Sequence, residues 1–339
     1  MKILITGGAG FIGCNVGKFY LERGDEVIIL DNLSRKGAPS NLEWLRSLGD
    51  VRFIKQDIRD FDGLRNAVKE CGEVDILFHL AAQVAVTTSV VEPREDFEIN
   101  ALGTFNLLES VRQNGMDPVI IFASTNKVYG EMTDLVVVED EGKYRYADMP
   151  EGIPESRQLD FHSPYGCSKG CADQYAVDYA RIYGLRTVCM RQSCIYGPRQ
   201  FGVEDQGWVA WFIIATVLGH ALTIYGDGKQ VRDILHVQDL VELFHLVYEN
   251  IDRVKGMAFN VGGGAANQMS LLELVDFLGE WSGARLNPAF DDWRPGDQKI
   301  YVSDINRVKE YLGWEPRIGK EEGVRALWDW VKANRTLFK

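Results

Sequence analysis

Met1-Lys-Ile-Leu-Ile-Thr-Gly-Gly-Ala-Gly-Phe-Ile-Gly-Cys14 reads as a strand that runs into a glycine turn and then a helix, and this stretch decides the fold. Ile3, Leu4 and Ile5 form the continuous apolar run of a parallel strand covered on both faces. Gly8, Gly10 and Gly13 fit G-x-G-x-x-G directly behind it. A tight turn needs positive φ, and close backbone approach to a pyrophosphate leaves no room for a Cβ. The last glycine lets the helix pack on the strand with its N-terminal amides toward the anion. In a chain with 34 glycines the triplet gains weight only from what surrounds it. A second apolar strand, Glu26–Leu30, ends in Asp31, 18 positions after Gly13, where a carboxylate reaches adenosine ribose hydroxyls. That carboxylate would repel a 2′-phosphate and favours NAD over NADP, with Arg35 and Lys36 close by as opposing charges.

Outward from this unit, strands and helices alternate as in a doubly wound sheet. Helices are expected over 41–48, 61–71 and 97–114, and strands over 51–55, 75–80 and 118–123. Ala81 and Ala82 are small enough for a dinucleotide to lie against the backbone, and His79, inside an apolar run, reads as a core histidine. From about residue 190 the alternation loosens, so the division expected is a Rossmann-type domain over 1–190, rejoined by a segment near 230–255, and a smaller α/β substrate lobe over 191–339. In that lobe Trp208, Trp211, Phe212 and Tyr225 offer aromatic surface, Trp211 and Phe212 equally suiting a core. The connection 129–164 is long, and its part 139–160 carries seven acidic and three basic residues, as a solvated loop or a lid would.

The formal net charge of −12 over 339 residues, with 49 acidic and 37 basic side chains, disfavours nucleic-acid and anionic-membrane partners. Anionic ligands must be held by local sites. Met1-Lys2 leads straight into the first strand without the order of a signal peptide, and no run of about eighteen apolar residues occurs, so a cytoplasmic protein is expected. Six cysteines without paired C-x-x-C spacing read as reduced thiols, with no metal site.

The chemistry is expected where the fifth strand ends, in Ser124-Thr-Asn-Lys-Val-Tyr-Gly130. Forty residues past Thr125 come Tyr165 and Lys169, four apart on one helix face, so both side chains can meet one ligand. An amine beside a phenol favours phenolate, making Tyr165 a candidate base near neutral pH. An amphipathic helix with an exposed lysine would show the same spacing.

These pieces resemble the extended short-chain dehydrogenase/reductase family and, within it, the nucleotide-sugar epimerases. The resemblance spans nearly the whole chain and rests on Thr6–Gly13, His79–Ala82, Asn100, Ser124-Thr125, Val128–Gly130, Tyr165/Lys169, Tyr196–Pro198, Arg232-Asp233 and Arg294–Asp297. Longer blocks, Asp31–Gly37, Ser124–Gly130, Leu159–Gly170 and Asp205–Trp208, look like the CDP-tyvelose (CDP-paratose) 2-epimerases. The resemblance implies NAD bound by Gly7, Gly10, Phe11, Ile12, Gly13, Asp31, Asn32, Ser34, Arg35, Asp57, Ile58, Leu80, Ala81, Ala82, Tyr165 and Lys169. It implies Tyr165 as base, assisted by Thr125, Ser124 and Lys169. A nucleotide sugar, a CDP-hexose above others, would be held by Thr125, Asn126, Cys194, Arg199, Arg232 and Arg294. Cys194 stands where many relatives have an asparagine. The implied reaction is epimerisation at C2 of a deoxyhexose in a homo-oligomer, dimer or tetramer, paired through helices such as 97–114 and 168–183. A 2- or 4-epimerase of a UDP- or GDP-hexose and a noncatalytic NAD-binding relative are the alternatives. Hexose dehydratases read Thr-Asp-Glu where this chain has Thr125-Asn126-Lys127, and neither replacement serves as acid or base in an elimination.

Overall fold

A computed structural model describes residues 1–294 and 296–338. Its centre is a parallel seven-stranded sheet in the order 258–261, 186–192, 119–125, 76–79, 2–6, 26–31, 51–55. The chain starts at Lys2–Thr6, builds two strands to one side, then crosses to Ile76–His79 and builds to the other side. The crevice at this reversal, at the carboxyl ends of the strands, is where such sheets take ligands. Ile3, Leu4, Ile5, Ile28, Ile29 and Leu30 are fully buried, as the unbroken apolar runs require of strands covered by helices on both faces.

The elements expected for the first 130 residues form, with two differences. The fifth strand is Val119–Thr125, two residues longer than its apolar run, because pairing with Arg186–Gln192 continues through Ser124↔Arg191 and Thr125↔Gln192. The helix expected over 97–114 is Pro93–Phe97, a π-turn Glu98–Leu102 and Gly103–Gln113 in succession. Inside the π-turn, Asn100 is drawn to the crevice: it accepts from Gln83 N at 3.0 Å and donates to Gln83 O at 2.9 Å.

The rest of the chain builds a mixed sheet in which Val231–His236 pairs with 194–196, 268–270 and 300–301. Helices Trp208–Leu218, Leu271–Ser282 and Lys320–Ala333 pack on it through Phe212, Ile213, Leu274, Leu278, Leu327 and Trp328, with Trp211 against the same cluster. Two elements return to the first sheet: strand Ala258–Val261 becomes its seventh member, and helix Val237–Glu249 buries Leu240 and Phe244 against Tyr20 and Phe78.

The acidic connection does not lie over the crevice. It holds a hairpin, Val137–Asp140 with Lys143–Tyr146, anchored on the second sheet by Tyr146 Oη donating to Ile300 O at 2.9 Å and Tyr144 N donating to Lys229 O at 3.1 Å. Its acids find cations there: Asp140 pairs with Arg145, and Glu139 with Lys229. The loop 202–208 and the segment around Arg294 border the site instead. Among the described residues, no helix is long and apolar enough to cross a membrane.

Candidate active site

Two cavities meet at the carboxyl edge of the central sheet. The first, of about 440 Å³, runs along the glycine turn and the ends of strands 2–6, 26–31 and 76–79. The second, of about 380 Å³, lies between strand end 124–127 and the second sheet with its helix 208–218. Phe11, Ile12, Ser124, Tyr165, Gln192 and Gln200 line both, so these residues form the seam.

The first cavity is shaped by backbone. Gly7 has φ of +67°, and a Cβ there would stand 2.6 Å from Ala81 N; a Cβ on Gly13 would stand 2.4 Å from Gly7 O. Helix Phe11–Glu22 begins at Gly10 with no side-chain cap, leaving the amides of Phe11, Ile12 and Gly13 toward the cavity. Gly7, Gly10 and Gly13 line it; Gly8 instead packs on Ile29, so the lining triplet is the one implied by resemblance rather than the first one fitted. Leu80, Ala81 and Ala82 form the opposite wall.

Asp31 also faces this cavity, its Oδ2 accepting from Ala9 N at 3.0 Å and its Oδ1 from Leu33 N at 2.7 Å. Burial raises its pKa against those two amides. Each oxygen retains a lone pair for a ligand hydroxyl. Asn32, Ser34, Asp57 and Ile58 line the far end, where Asp57 is held well below the usual carboxylate range by Arg59 and Asn32. Arg35 reaches across to Gln206 Oε1, tying the loop after Asp31 to loop 202–208. A turn without Cβ atoms, free helix amides and a ribose-height carboxylate together suit a dinucleotide.

Arg199 is a correction. Expected among the substrate groups, it borders the first cavity, with its guanidinium 4.3 Å from the Trp44 ring centre. The turn after Tyr196-Gly-Pro198 points it there, where Asn15 Nδ2 donates to Pro198 O at 3.0 Å and pins the loop to the first helix.

At the seam burial, and not Lys169, dominates the Tyr165 phenol. Tyr165 and Thr125 are brought together, the threonine hydroxyl drawing the phenol pKa down. Burial outweighs it and, with the Asp96 charge, pushes Tyr165 up to about 12. Lys169 does not supply the expected counter-charge: its Nζ donates to Ala123 O and lies 4.4 Å from the Phe122 ring centre, while burial lowers it to about 8. Ser124 donates to Asp173 Oδ2 at 2.6 Å, and Asp173 is paired with buried Arg191, so its hydroxyl is committed to that network. His79 is a core residue between Thr6 Oγ1 at 2.7 Å and Thr104 Oγ1 at 3.0 Å.

The second cavity is shaped by side chains. Asn126, Cys194, Arg232 and Arg294 all line it, with Trp208 and Tyr225 as aromatic walls. Arg294 lies 3.6 Å from the Tyr225 ring centre and pairs with Asp205 at 3.1 Å. Arg232 donates to Val231 O at 2.8 Å and Gln298 O at 2.7 Å. Pro295, next to Arg294 in its motif, lies outside the described residues. Sequence reasoning passed over Gln192, at the seam with an Nε2 that has no partner among the described residues, and Lys127 and Gln230 in the cavity. Only the end position of the neighbouring strand could have flagged Gln192.

The family model for the NAD dependent epimerase/dehydratase family matches residues 3–262. The chain belongs to that family. It is an epimerase by its relatives: a CDP-paratose 2-epimerase of Salmonella typhi is 46% identical over 98% of this chain and 100% of its own length. A putative UDP-glucose 4-epimerase of Methanocaldococcus jannaschii is 34% identical over 98% of this chain and 99% of its own. Among solved structures, the Thermotoga maritima UDP-glucose 4-epimerase with UDP-glucose superposes with a TM-score of 0.85 at 32% identity, covering 99% of this chain and 100% of that one. The Thermus thermophilus UDP-glucose 4-epimerase in complex with NAD gives 0.80 at 32% identity over 97% and 98%. The cofactor of this epimerase family is NAD, and the first cavity has the backbone form that NAD requires.

Proposed function

We propose that this epimerase inverts C2 of a nucleotide-activated deoxyhexose, converting CDP-paratose to CDP-tyvelose. The observation that carries the reading is Tyr165, whose side chain lines both cavities while strand end 124–127 offers hydroxyl, amide and amine but no carboxyl. That set suits oxidation and reduction of an alcohol and not the loss of water. The likeness to the Salmonella typhi enzyme supports the substrate.

Gly7, Gly10, Gly13, Asp31 and the helix amides of 11–13 would hold NAD, with Lys169 toward its nicotinamide ribose and Asp57 and Ile58 toward its adenine. When bound, NAD supplies the hydride acceptor and donor, and its cationic oxidised ring favours phenolate. Tyr165 takes the proton of the C2 hydroxyl, a task for which burial alone leaves it too weakly acidic, and Thr125 holds the same oxygen. C2 has no neighbouring carbonyl to acidify its C–H bond, so direct deprotonation is closed. The 2-ketone must present its other face before reduction, which requires an anchored nucleotide and a loosely held ring; Arg232 and Arg294 are placed for the anchor.

In this reading residues 1–190, rejoined by 237–261, carry the cofactor, and the remainder of 191–339 carries the sugar nucleotide. Exposed Val91, Phe97, Ile182 and Tyr183, on helices beside one another, support a homo-oligomer. Substrate deuterated at C2 should keep its label in the product, and turnover in D₂O should add none there. Solvent deuterium at C2 on each turnover would refute internal hydride return. Parallel trials of UDP- and GDP-hexoses decide the nucleotide.

A further inference from the structure

Among the described residues, Lys127 makes no ion pair and is held by two oxygens that carry no charge. Its Nζ donates to Gly296 O at 3.1 Å and to Gln298 Oε1 at 3.4 Å, which leaves one of three ammonium protons for the cavity it lines. Among the described residues, no carboxylate lies within 4.0 Å of it. Arg232, the next cation, is held among the described residues by two carbonyls, Val231 O and Gln298 O. Gln298 thus holds both: its side-chain oxygen accepts from Lys127 and its main-chain oxygen from Arg232. Arg294, by contrast, is already paired with Asp205.

Two like charges anchored on one residue and turned toward one cavity repel each other, and the Arg232 charge disfavours protonated Lys127. Half-buried charges of one sign that share a cavity are stabilised by a matching anion, so the arrangement suits an anion between the two. Lys127 is also two residues from Thr125, and its main-chain N–H donates to Thr125 Oγ1 at 3.3 Å, so the backbone that carries this cation is fixed relative to the hydroxyl that would hold the sugar oxygen. Chemistry then discriminates between sugar positions. C2 is bonded directly to the carbon that bears the phosphate, whereas C4 lies across the ring. A 2-epimerase must therefore bring the sugar-bound phosphate up to the seam where Thr125 at the strand end meets the base Tyr165 from its helix, and a cation at that strand end meets the need.

We propose that Lys127 binds the phosphate attached to the sugar and thereby sets C2, rather than a carbon across the ring, beside Tyr165. The proposal rests on the 2-epimerase reading and specifies its register.

The test uses NAD-loaded enzyme and measures binding of CDP and of CMP by calorimetry, with UDP and UMP in parallel. Lys127→Met should weaken CDP at pH 7 by about tenfold or more, the size of one charged hydrogen bond, and leave CMP within twofold. Retained NAD shows that the variant is folded. Equal CDP affinity in variant and wild type would overturn the proposal. Should the methionine variant lose NAD, Lys127→Arg gives the answer. Burial and Arg232 bring Lys127 to about 8, against Asp297, Cys194 and Glu131, which pull upward. Cys194 is itself raised by burial. Wild-type CDP affinity should therefore fall roughly tenfold from pH 7 to 9, and the arginine variant should stay flat. A parallel fall in both would overturn the proposal. Turnover of CDP-paratose by the wild type is scored separately: its absence removes the substrate reading, while the CDP-against-CMP comparison still judges Lys127.

Discussion

The cofactor cleft and the sugar cavity share Tyr165 but are built by opposite means. The cleft is a backbone object, made where Gly7 and Gly13 allow main chain to meet main chain and where three helix amides go uncapped. The cavity is a side-chain object, assembled from strand end 124–127, strands 194–196 and 231–236, loop 202–208 and the segment around Arg294. A backbone site changes little when a surface side chain is replaced, whereas a side-chain site can be redirected one residue at a time. One family can thus keep its cofactor and vary its sugar.

The sharpest challenge to this contrast falls on the shared residue. Tyr165→Phe should lose about 10²- to 10⁴-fold in kcat while NAD, counted by mass analysis of released nucleotide, stays at wild-type content. A near-normal rate would remove Tyr165 as the base. Next in size, Arg294→Ala should raise KM about 10- to 100-fold with unchanged bound NAD, since one charged contact is worth about 1.5–3 kcal/mol. Coupled loss of NAD would show that the two cavities are not separable.

On the cleft side, Asp31→Ala should weaken NAD by roughly tenfold and narrow the gap to NADP, read by equilibrium binding of both. An unchanged preference would pass the discrimination to Arg35 or Lys36. The smallest effect lies beneath the seam, at His79, which burial lowers to about 3. The unfolded chain binds a proton near pH 6.5 that the native state refuses, so stability falls as pH drops: about 1 kcal/mol from pH 6.5 to 5.5 for this group. His236, lowered to about 4, adds in the same direction. Denaturant melts of wild type and His79→Gln should differ in slope over that interval. Identical slopes would place the sensitivity in His236.

The sequence by itself determined the parts whose residues are neighbours along the chain. The apolar run of Ile3–Ile5, the glycines behind it and Asp31 specify a strand, a turn and a strand end through local conformation and burial, and the cleft follows because it is made of those same few segments. Tyr165 and Lys169 were legible for a related reason, since helical spacing fixes their shared face. What Lys169 does there was not legible. Its bond to Ala123 O, and Ser124's to Asp173, depend on strand and helix packing across 46 and 49 positions of sequence. Folding likewise turned Arg199 to the cofactor side, laid the acidic hairpin on the second sheet and set Lys127 beside Arg232 with Gln298 between them. Local pattern decides which element a residue joins, but the charge, partner and cavity it meets come from segments distant in the chain, and those are settled only when the elements pack.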